Sequence, residues 1–214
     1  MEKNKKKNIL ITAGPTWVPI DRVRIITTVF GGKLGWEIAK FASERNYNVT
    51  LLMGPGRVSI PKKSSKSLRI IRFKYFDELL NLVKSELKLK EYDAIIHSAA
   101  VPDYIPKKTN SGKIKSGIAN FKIEFKRTIK IVDLIKKIRP NIFLVKFKLE
   151  VGKSKDQLIE IAYKSMVQSK ADLIVANDYN DMKNKHKAYI IKKDKSYITV
   201  NGKKEIASGV LKLI

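Results

Sequence analysis

The stretch ILITAGPTWVPIDRVRIITTVFGGKLG, residues 9–35, carries the strongest information about the fold. An apolar strand over residues 8–13 runs into the turn Gly14-Pro15-Thr16, and a second glycine cluster at residues 31–35 leads into an amphipathic helix. A strand, a glycine loop and the amino end of a helix present free backbone N–H groups, and the helix dipole favours an anion there. The dinucleotide motif G-x-G-x-x-G and the P-loop motif G-x-x-x-x-G-K-[ST] are both missing from the sequence. The stretch therefore predicts a phosphate-binding turn of another kind, although helix capping and tight packing would also explain single glycines.

Length and composition indicate one α/β domain, over residues 1–214, with a substantial apolar core. The chain has 214 residues, of which 43% are hydrophobic, and it contains no cysteine. No run of about 18 apolar residues is present, so no membrane-spanning helix is expected. Residues 1–7 are basic and are expected to form a flexible segment rather than a signal peptide. Together these features predict a cytoplasmic protein.

The formal net charge of +25 has two explanations. It arises from 45 Lys and Arg against 20 Asp and Glu. Dense lysine is typical of nucleic-acid binding, because lysines neutralise phosphates. The lysines are spread along the whole chain and are not interleaved with aromatic residues, as a base-stacking surface requires. Biased composition combined with an anionic small substrate is therefore favoured, and nucleic-acid binding stays the alternative.

Strand and helix patterns alternate along the chain. Strands are predicted over residues 8–13, 48–53, 68–73, 92–100, 121–125, 142–149, 171–176, 188–192 and 196–200. Helices are predicted over residues 35–45, 76–89, 129–138, 155–169 and 203–213, and a loop over residues 101–117. This order predicts a Rossmann-like, doubly wound, mostly parallel sheet with helices on both faces and an antiparallel edge hairpin. The ligand of such a sheet lies beyond the carboxyl ends of its strands.

Two further polar clusters fall on predicted strand ends. The first, Ser98-Ala99-Ala100-Val101-Pro102-Asp103-Tyr104, is followed by Lys107, Lys108, Lys113 and Lys115. Small residues let a ligand approach the backbone, Asp103 is suited to a ribose or a metal ion, and the lysines are suited to a triphosphate. A solvated basic loop explains the same residues equally well. The second cluster ends in Asn177-Asp178, a pair often found in turns, and His97 is expected to be a hydrogen-bonded core histidine.

Taken in order, these segments resemble the phosphopantothenate–cysteine ligase family, also called phosphopantothenoylcysteine synthetase. The similarity covers residues 9–213 and rests on ITAGPTWVPIDRVRIITT, GGKLG, SAAVPDY, KIKS, FKLE and ADLIVAND. Phe147-Lys148-Leu149 is similar to the separately encoded bacterial ligases rather than to the fused type. The resemblance implies a Rossmann-like ligase of coenzyme A biosynthesis, active as a homodimer for which residues 101–127 are a candidate arm.

The resemblance implies a reaction in two steps. The carboxylate of 4′-phosphopantothenate attacks the α-phosphate of CTP or ATP, with Mg²⁺, and pyrophosphate leaves. The amine of L-cysteine then attacks the acyl-nucleotide and releases the nucleoside monophosphate. No flavin, membrane or nucleic-acid partner is implied, and a separate phosphopantothenoylcysteine decarboxylase is a candidate partner.

Position by position, the resemblance assigns roles to individual residues. Catalytic roles fall on Lys113 and Thr28. Nucleotide binding falls on Ala99, Ala100, Asp103, Lys113, Thr128, Lys130 and Phe147. Binding of phosphopantothenate falls on Gly14, Thr16, Gly32 and Lys33. Further family lysines lie on the helix over residues 155–169, near Lys164 and Lys170, and no side chain is assigned to a metal.

One departure from the family pattern concerns the acyl-nucleotide intermediate. The family has Asn where this chain has Thr28, and two hydroxyl residues where it has Phe30-Gly31. Threonine keeps a hydroxyl but lacks the paired donor and acceptor of an amide. A diverged homologue that binds nucleotide without ligating is therefore a second alternative.

Overall fold

The computed structural model describes residues 6–61, 65–184 and 186–214. Its elements, in chain order, are β1 (Lys7–Ala13), β2 (Val18–Pro19), β3 (Ile25–Ile26), α1 (Lys33–Ser43), β4 (Tyr47–Met53), β5 (Leu68–Arg72), α2 (Phe76–Leu89), β6 (Ala94–His97), β7 (Tyr104–Pro106), β8 (Phe125–Arg127), α3 (Ile131–Ile138), β9 (Phe143–Glu150), α4 (Lys155–Gln168), β10 (Leu173–Asp178), α5 (Tyr179–Asn184), β11 (Lys187–Lys192), β12 (Tyr197–Asn201) and α6 (Gly202–Lys212). No helix in this described part of the chain is long and apolar enough to cross a bilayer.

Eight strands form one sheet in the order β12-β11-β10-β9-β6-β1-β4-β5. The pairs from β10 through β9, β6, β1 and β4 to β5 are parallel, whereas β11 pairs antiparallel with both β10 and β12. The predicted doubly wound, mostly parallel sheet with an antiparallel edge hairpin is confirmed.

Helices cover both faces of the sheet, because the central strands are apolar on both sides. Along β1, Ile9 and Ile11 face the core that α1 and α6 cover, and Leu10 faces the core under α2, α3 and α4. All three side chains are fully buried. The continuous apolar run of β1 therefore reflects a strand with helices on both faces.

The strand order reverses at β1. The chain passes from β1 outward to β4 and β5, then returns to β6 on the other side and continues to β9 and β10. The carboxyl ends of β1 and β6 thus flank the switch point at which ligands of such sheets bind.

The amino end of β1 lies on the opposite side of the sheet from this switch point. There the Lys7 ammonium donates to the Ile214 carbonyl at 2.7 Å.

Several predicted elements need correction. The predicted strand over residues 121–125 is wrong: β8 begins at Phe125, and its partner is β7, inside the predicted loop. Pro106 lies opposite Phe125, and the pairing continues past it, because the Lys107 N–H donates to the Glu124 carbonyl at 2.8 Å. The strand over residues 92–100 is limited to Ala94–His97. Residues 1–5 of the expected flexible segment lie outside the described residues, whereas Lys7 already belongs to β1.

Candidate functional site

A cleft of about 540 Å³ lies at the carboxyl ends of the parallel strands, at the switch point between β1 and β6. Its lining consists of Gly14, residues 29–35, residues 98–101, Asp103, residues 147–149, Asn177, Met182, His186 and Lys203. Among these described residues, three are lysines and Asp103 alone is acidic. The cleft is therefore suited to an anionic ligand.

The glycine segment forms one wall of this cleft. Gly14 (φ 83°) and Gly32 (φ 78°) are both in the left-handed region, and a Cβ on Gly32 would lie 2.8 Å from the Gly14 Cα atom. Gly32 is also the N-cap of α1, and no side chain caps this helix. The amino end of α1, with Lys33 in its first turn, consequently faces the cleft with its backbone donors.

The segment after β6 forms the adjoining wall and continues the pairing with β1. The Ala100 N–H donates to the Gly14 carbonyl at 2.9 Å, and the Thr16 N–H donates to the Ala100 carbonyl at 3.2 Å. The Thr128 hydroxyl donates to the Pro102 carbonyl at 2.7 Å, and its N–H to the Asp103 carbonyl at 3.0 Å. Backbone hydrogen bonds therefore hold Ala100 and Asp103 in place, and the Ala99 N–H donates to the Thr12 hydroxyl at 3.2 Å.

Phe147 and Lys148 of β9 line the cleft. Phe147 is half-buried beside Val175 of β10, and the Lys148 ammonium lies 3.0 Å from the Glu150 carboxylate. An aromatic ring and an ammonium group at neighbouring positions suit a base and a phosphate, respectively.

Seven residues that the resemblance assigned to binding lie together in the cleft: Gly14, Gly32, Lys33, Ala99, Ala100, Asp103 and Phe147. Five others do not line it: Thr16, Thr28, Lys113, Thr128 and Lys130. Thr16 is buried beneath the turn, with no hydrogen-bond partner for its hydroxyl among the described residues. Thr28 is exposed. Lys113 lines a separate cavity built from Ile20 and residues within 107–124.

A buried carboxylate fixes the loop that carries Lys113. Asp21 accepts hydrogen bonds from the Ile114 N–H at 3.0 Å and from the Arg24 guanidinium at 2.6 Å. The same guanidinium donates to the Ile114 carbonyl at 3.2 Å. The bond from Ile114 is the main cause that lowers the pKa of Asp21 to about 2, against the opposing effect of burial. We call these contacts the Asp21 clamp; it links the segment between β2 and β3 to the Lys113 loop.

A row of polar side chains crosses the sheet beneath the site, on the face covered by α2, α3 and α4. The Thr12 hydroxyl lies 2.9 Å from His97 Nδ1, as expected for a hydrogen-bonded core histidine. On the next strand, the Lys146 ammonium donates to the hydroxyls of Ser165 and Ser169 at 2.9 and 3.1 Å. Burial is the main cause that lowers the pKa of His97 to about 4 and that of Lys146 to about 8.

Sequence motifs do not point to His186 and Lys203, which form the far end of the cleft. β11 runs antiparallel to β10, with Ala188 opposite Asn177, so His186 precedes β11 at the same edge where β10 ends. The predicted hairpin implies this position of His186, because the start of an antiparallel strand lies beside the end of its neighbour. Burial and, to a lesser degree, the Lys203 charge lower the pKa of His186.

Within the described residues, no group of three or more His, Asp or Glu side chains is placed to hold a metal ion. Mg²⁺ commonly keeps most of its waters and binds substrate phosphates with one or two carboxylates. The single carboxylate of Asp103 in the cleft fits a magnesium ion that arrives with a nucleotide.

Comparisons with known proteins identify the family. The model of the DNA/pantothenate metabolism flavoprotein C-terminal domain matches residues 4–214. The coenzyme A biosynthesis bifunctional protein CoaBC of Thermococcus kodakarensis is 39% identical over 171 residues, which are 80% of this chain and 41% of that protein. CoaBC of Borreliella burgdorferi is 30% identical over 216 residues, which are 98% of this chain and 53% of that protein. The chain thus spans about half, or less, of the length of these relatives.

A solved structure agrees with this result. The crystal structure of the DNA/pantothenate metabolism flavoprotein from Streptococcus pneumoniae superposes with a TM-score of 0.87 at 32% identity, over 97% of each chain. The resemblance inferred from the strand-end motifs is confirmed, and the chain belongs to the DNA/pantothenate metabolism flavoprotein C-terminal domain family.

Proposed function

We propose that the chain is a phosphopantothenate–cysteine ligase of coenzyme A biosynthesis. One observation carries the proposal: seven residues assigned to substrate binding from sequence motifs converge on one cleft at the switch point. Relatives named coenzyme A biosynthesis bifunctional protein CoaBC, similar over most of this chain, support the same role.

In the first step, the carboxylate of 4′-phosphopantothenate attacks the α-phosphate of CTP or ATP and pyrophosphate leaves. Two anions must approach each other, so the main requirement is charge neutralisation and alignment. We assign the amino end of α1 and Lys33 to the phosphopantothenate side. Asp103, Ala99, Ala100 and Phe147 are assigned to the nucleotide, with Mg²⁺ held chiefly by its phosphates.

In the second step, the amine of L-cysteine attacks the acyl carbon and the nucleoside monophosphate leaves. The new bond joins nitrogen to carbon, the acyl–oxygen bond breaks, and the ammonium group of cysteine gives up two protons overall. No covalent enzyme intermediate is required. Ser98, Asp103 and His186 all line the cleft, but they form no catalytic triad: the Ser98 hydroxyl donates to the Thr12 carbonyl at 2.7 Å, and His186 Nε2 has no hydrogen-bond partner among the described residues.

Lys113 is assigned to the triphosphate, although it lies outside the cleft of this single chain. The Asp21 clamp fixes the base of its loop, and exposed apolar residues surround the same region: Val23, Ile25, Ile26, Val29, Tyr104, Ile118, Phe121, Phe125 and Ile129. Apolar exposure of this extent is typical of a protein interface. We infer that these residues form the arms of a homodimer.

The decisive experiment measures pyrophosphate release with each of the four nucleoside triphosphates, in the presence of Mg²⁺, 4′-phosphopantothenate and L-cysteine. We expect pyrophosphate and the nucleoside monophosphate to appear in equal amounts, with CTP or ATP preferred. Absence of both products with every triphosphate would contradict the proposal. A pull-down with a phosphopantothenoylcysteine decarboxylase tests the proposed partner.

Thr28→Asn tests the departure from the family pattern. Thr28 is exposed and does not line the cleft. If the chain is already an active ligase, the amide of asparagine at this position should therefore change kcat for ligation less than threefold. A rise of more than tenfold, from a nearly inactive starting protein, would instead support the diverged homologue that binds nucleotide without ligating.

A further inference from the structure

His186 is a buried polar side chain whose hydrogen-bonding capacity is not used within the fold. It is 6% exposed, and its Nε2 atom has no hydrogen-bond partner among the described residues. A buried imidazole nitrogen without a partner costs free energy, because it has lost water and gained nothing in return. His186 also lines the cleft, while its Nε2 atom is covered by the protein, so a ligand in the cleft becomes the partner of this nitrogen when the imidazole ring turns toward the cleft.

The backbone of His186 is firmly placed. Its N–H donates to the Asp181 carbonyl at 3.0 Å, and its own carbonyl accepts from the Gly202 N–H at 3.1 Å. The second bond ties His186 directly to the first residue of α6. The imidazole is therefore held beside the amino end of an 11-residue helix.

The amino end of α6 has the properties of an anion site. No side chain of Asn201, its N-cap residue, caps the helix, and Lys203 in the first turn lines the cleft. The Glu205 carboxylate accepts a hydrogen bond from the Asn201 N–H at 2.7 Å. The Glu205 side chain is exposed and does not line the cleft. The helix dipole and the Lys203 ammonium group together favour a phosphate.

We propose that His186, Lys203 and the amino end of α6 form a second phosphate-binding subsite of the cleft. Strands are spaced by about 4.8 Å, so this subsite lies four strands, or about 19 Å, from the glycine turn after β1, and about 10 Å from Phe147 on β9. The neutral imidazole, which the lowered pKa favours, donates its Nε2–H to a phosphate oxygen.

The inference deepens the proposed function, because both large substrates carry phosphate. The phosphate is either the phosphomonoester of 4′-phosphopantothenate or a phosphate of the nucleotide. The chemistry at His186 is the same for either source, and kinetics distinguish them.

A binding experiment tests the subsite without any ligase activity. The chain has two histidines, His97 and His186, so the ring resonances are simple to assign by NMR with His186→Gln as reference. We expect titration with inorganic pyrophosphate to shift the His186 resonance saturably and to leave His97 unchanged. Lys203→Met should weaken this binding about tenfold, through loss of a charge-assisted contact. Lys204→Met, at the exposed neighbouring position, should leave it unchanged.

The kinetic experiment identifies the phosphate. In His186→Ala and Lys203→Met, we expect KM to rise about tenfold for one substrate, 4′-phosphopantothenate or the triphosphate, and less than twofold for the other. His186→Gln should recover most of the affinity, because its amide N–H replaces Nε2–H. Unshifted His186 resonances, or a turning-over wild type whose two KM values are unaffected by either substitution, would overturn the subsite. A wild type without turnover contradicts the proposed function, and the NMR titration still decides the subsite.

Discussion

At the scale of single residues, Phe147 gives the sharpest test of nucleotide binding. Its ring is half-buried at the cleft end of β9. Stacking of a base on an aromatic side chain contributes about 1–3 kcal/mol, so we expect Phe147→Ala to raise the Kd for the preferred triphosphate about tenfold, measured by calorimetry. Phe143→Ala, on the same strand but outside the cleft, serves as the control for lost packing. Equal effects of the two substitutions on Kd would contradict the assignment.

Lys146 predicts a pH dependence of stability. Burial lowers its folded-state pKa from 10.5 to about 8, so between pH 8 and 10.5 the unfolded chain binds a proton that the folded chain does not. The free energy of unfolding should therefore rise with pH across this window, and Lys146→Met should lose that rise. Urea unfolding at pH 7.5 and 10 measures both slopes. Lys137→Met, at an exposed position of α3, controls for the loss of one positive charge and should behave as the wild type does.

At the scale of elements, the junction of β1 and α1 depends on Gly32. A Cβ there would lie 2.8 Å from both the Gly14 Cα and the Met53 Cε atoms, at a φ of 78°. We expect Gly32→Ala to lower the free energy of unfolding by about 1–3 kcal/mol and to raise KM for 4′-phosphopantothenate. Gly117→Ala is the control, because Gly117 has a φ of 85° but no atom within 4 Å of the added Cβ. It measures the cost of placing alanine in the left-handed region without a steric clash. If Gly117→Ala raises KM for 4′-phosphopantothenate as much as Gly32→Ala does, the glycine turn is not needed to bind this substrate.

Some elements of this fold can be predicted from the sequence and others cannot. The long strands of the sheet are predictable, because continuous apolar runs bounded by glycine and proline are a local signal. The short pairs β2–β3 and β7–β8 depend instead on distant contacts, such as those of Asp21 with Ile114. Phe147 and Asp103 follow from the rule that ligands bind at strand ends. Lys113 does not follow from that rule, because its position depends on the loop clamp. His186 follows only through the predicted hairpin, because it precedes β11, which runs antiparallel to β10.

At the scale of the whole molecule, the exposed apolar residues of the arms predict a dimer. Phe121 and Ile118 are each about half exposed, at 50% and 51%. We expect sedimentation at twice the mass of one chain, and a shift toward the monomer in the double variant Ile118→Ser, Phe121→Ser, because apolar contacts are lost. Leu89→Ser, at an 82% exposed position of α2 away from the arms, is the matched control. A wild type that sediments as a monomer at micromolar concentration would contradict the prediction.

The contact between Lys7 and Ile214 has a practical consequence for handling the protein. Both residues lie near the amino ends of the parallel strands, whereas the cleft lies at their carboxyl ends. The seven residues of β1 span about 20 Å between these two ends. An affinity tag, a fluorophore or a surface tether attached at Lys7 or Ile214 leaves the cleft open to solvent.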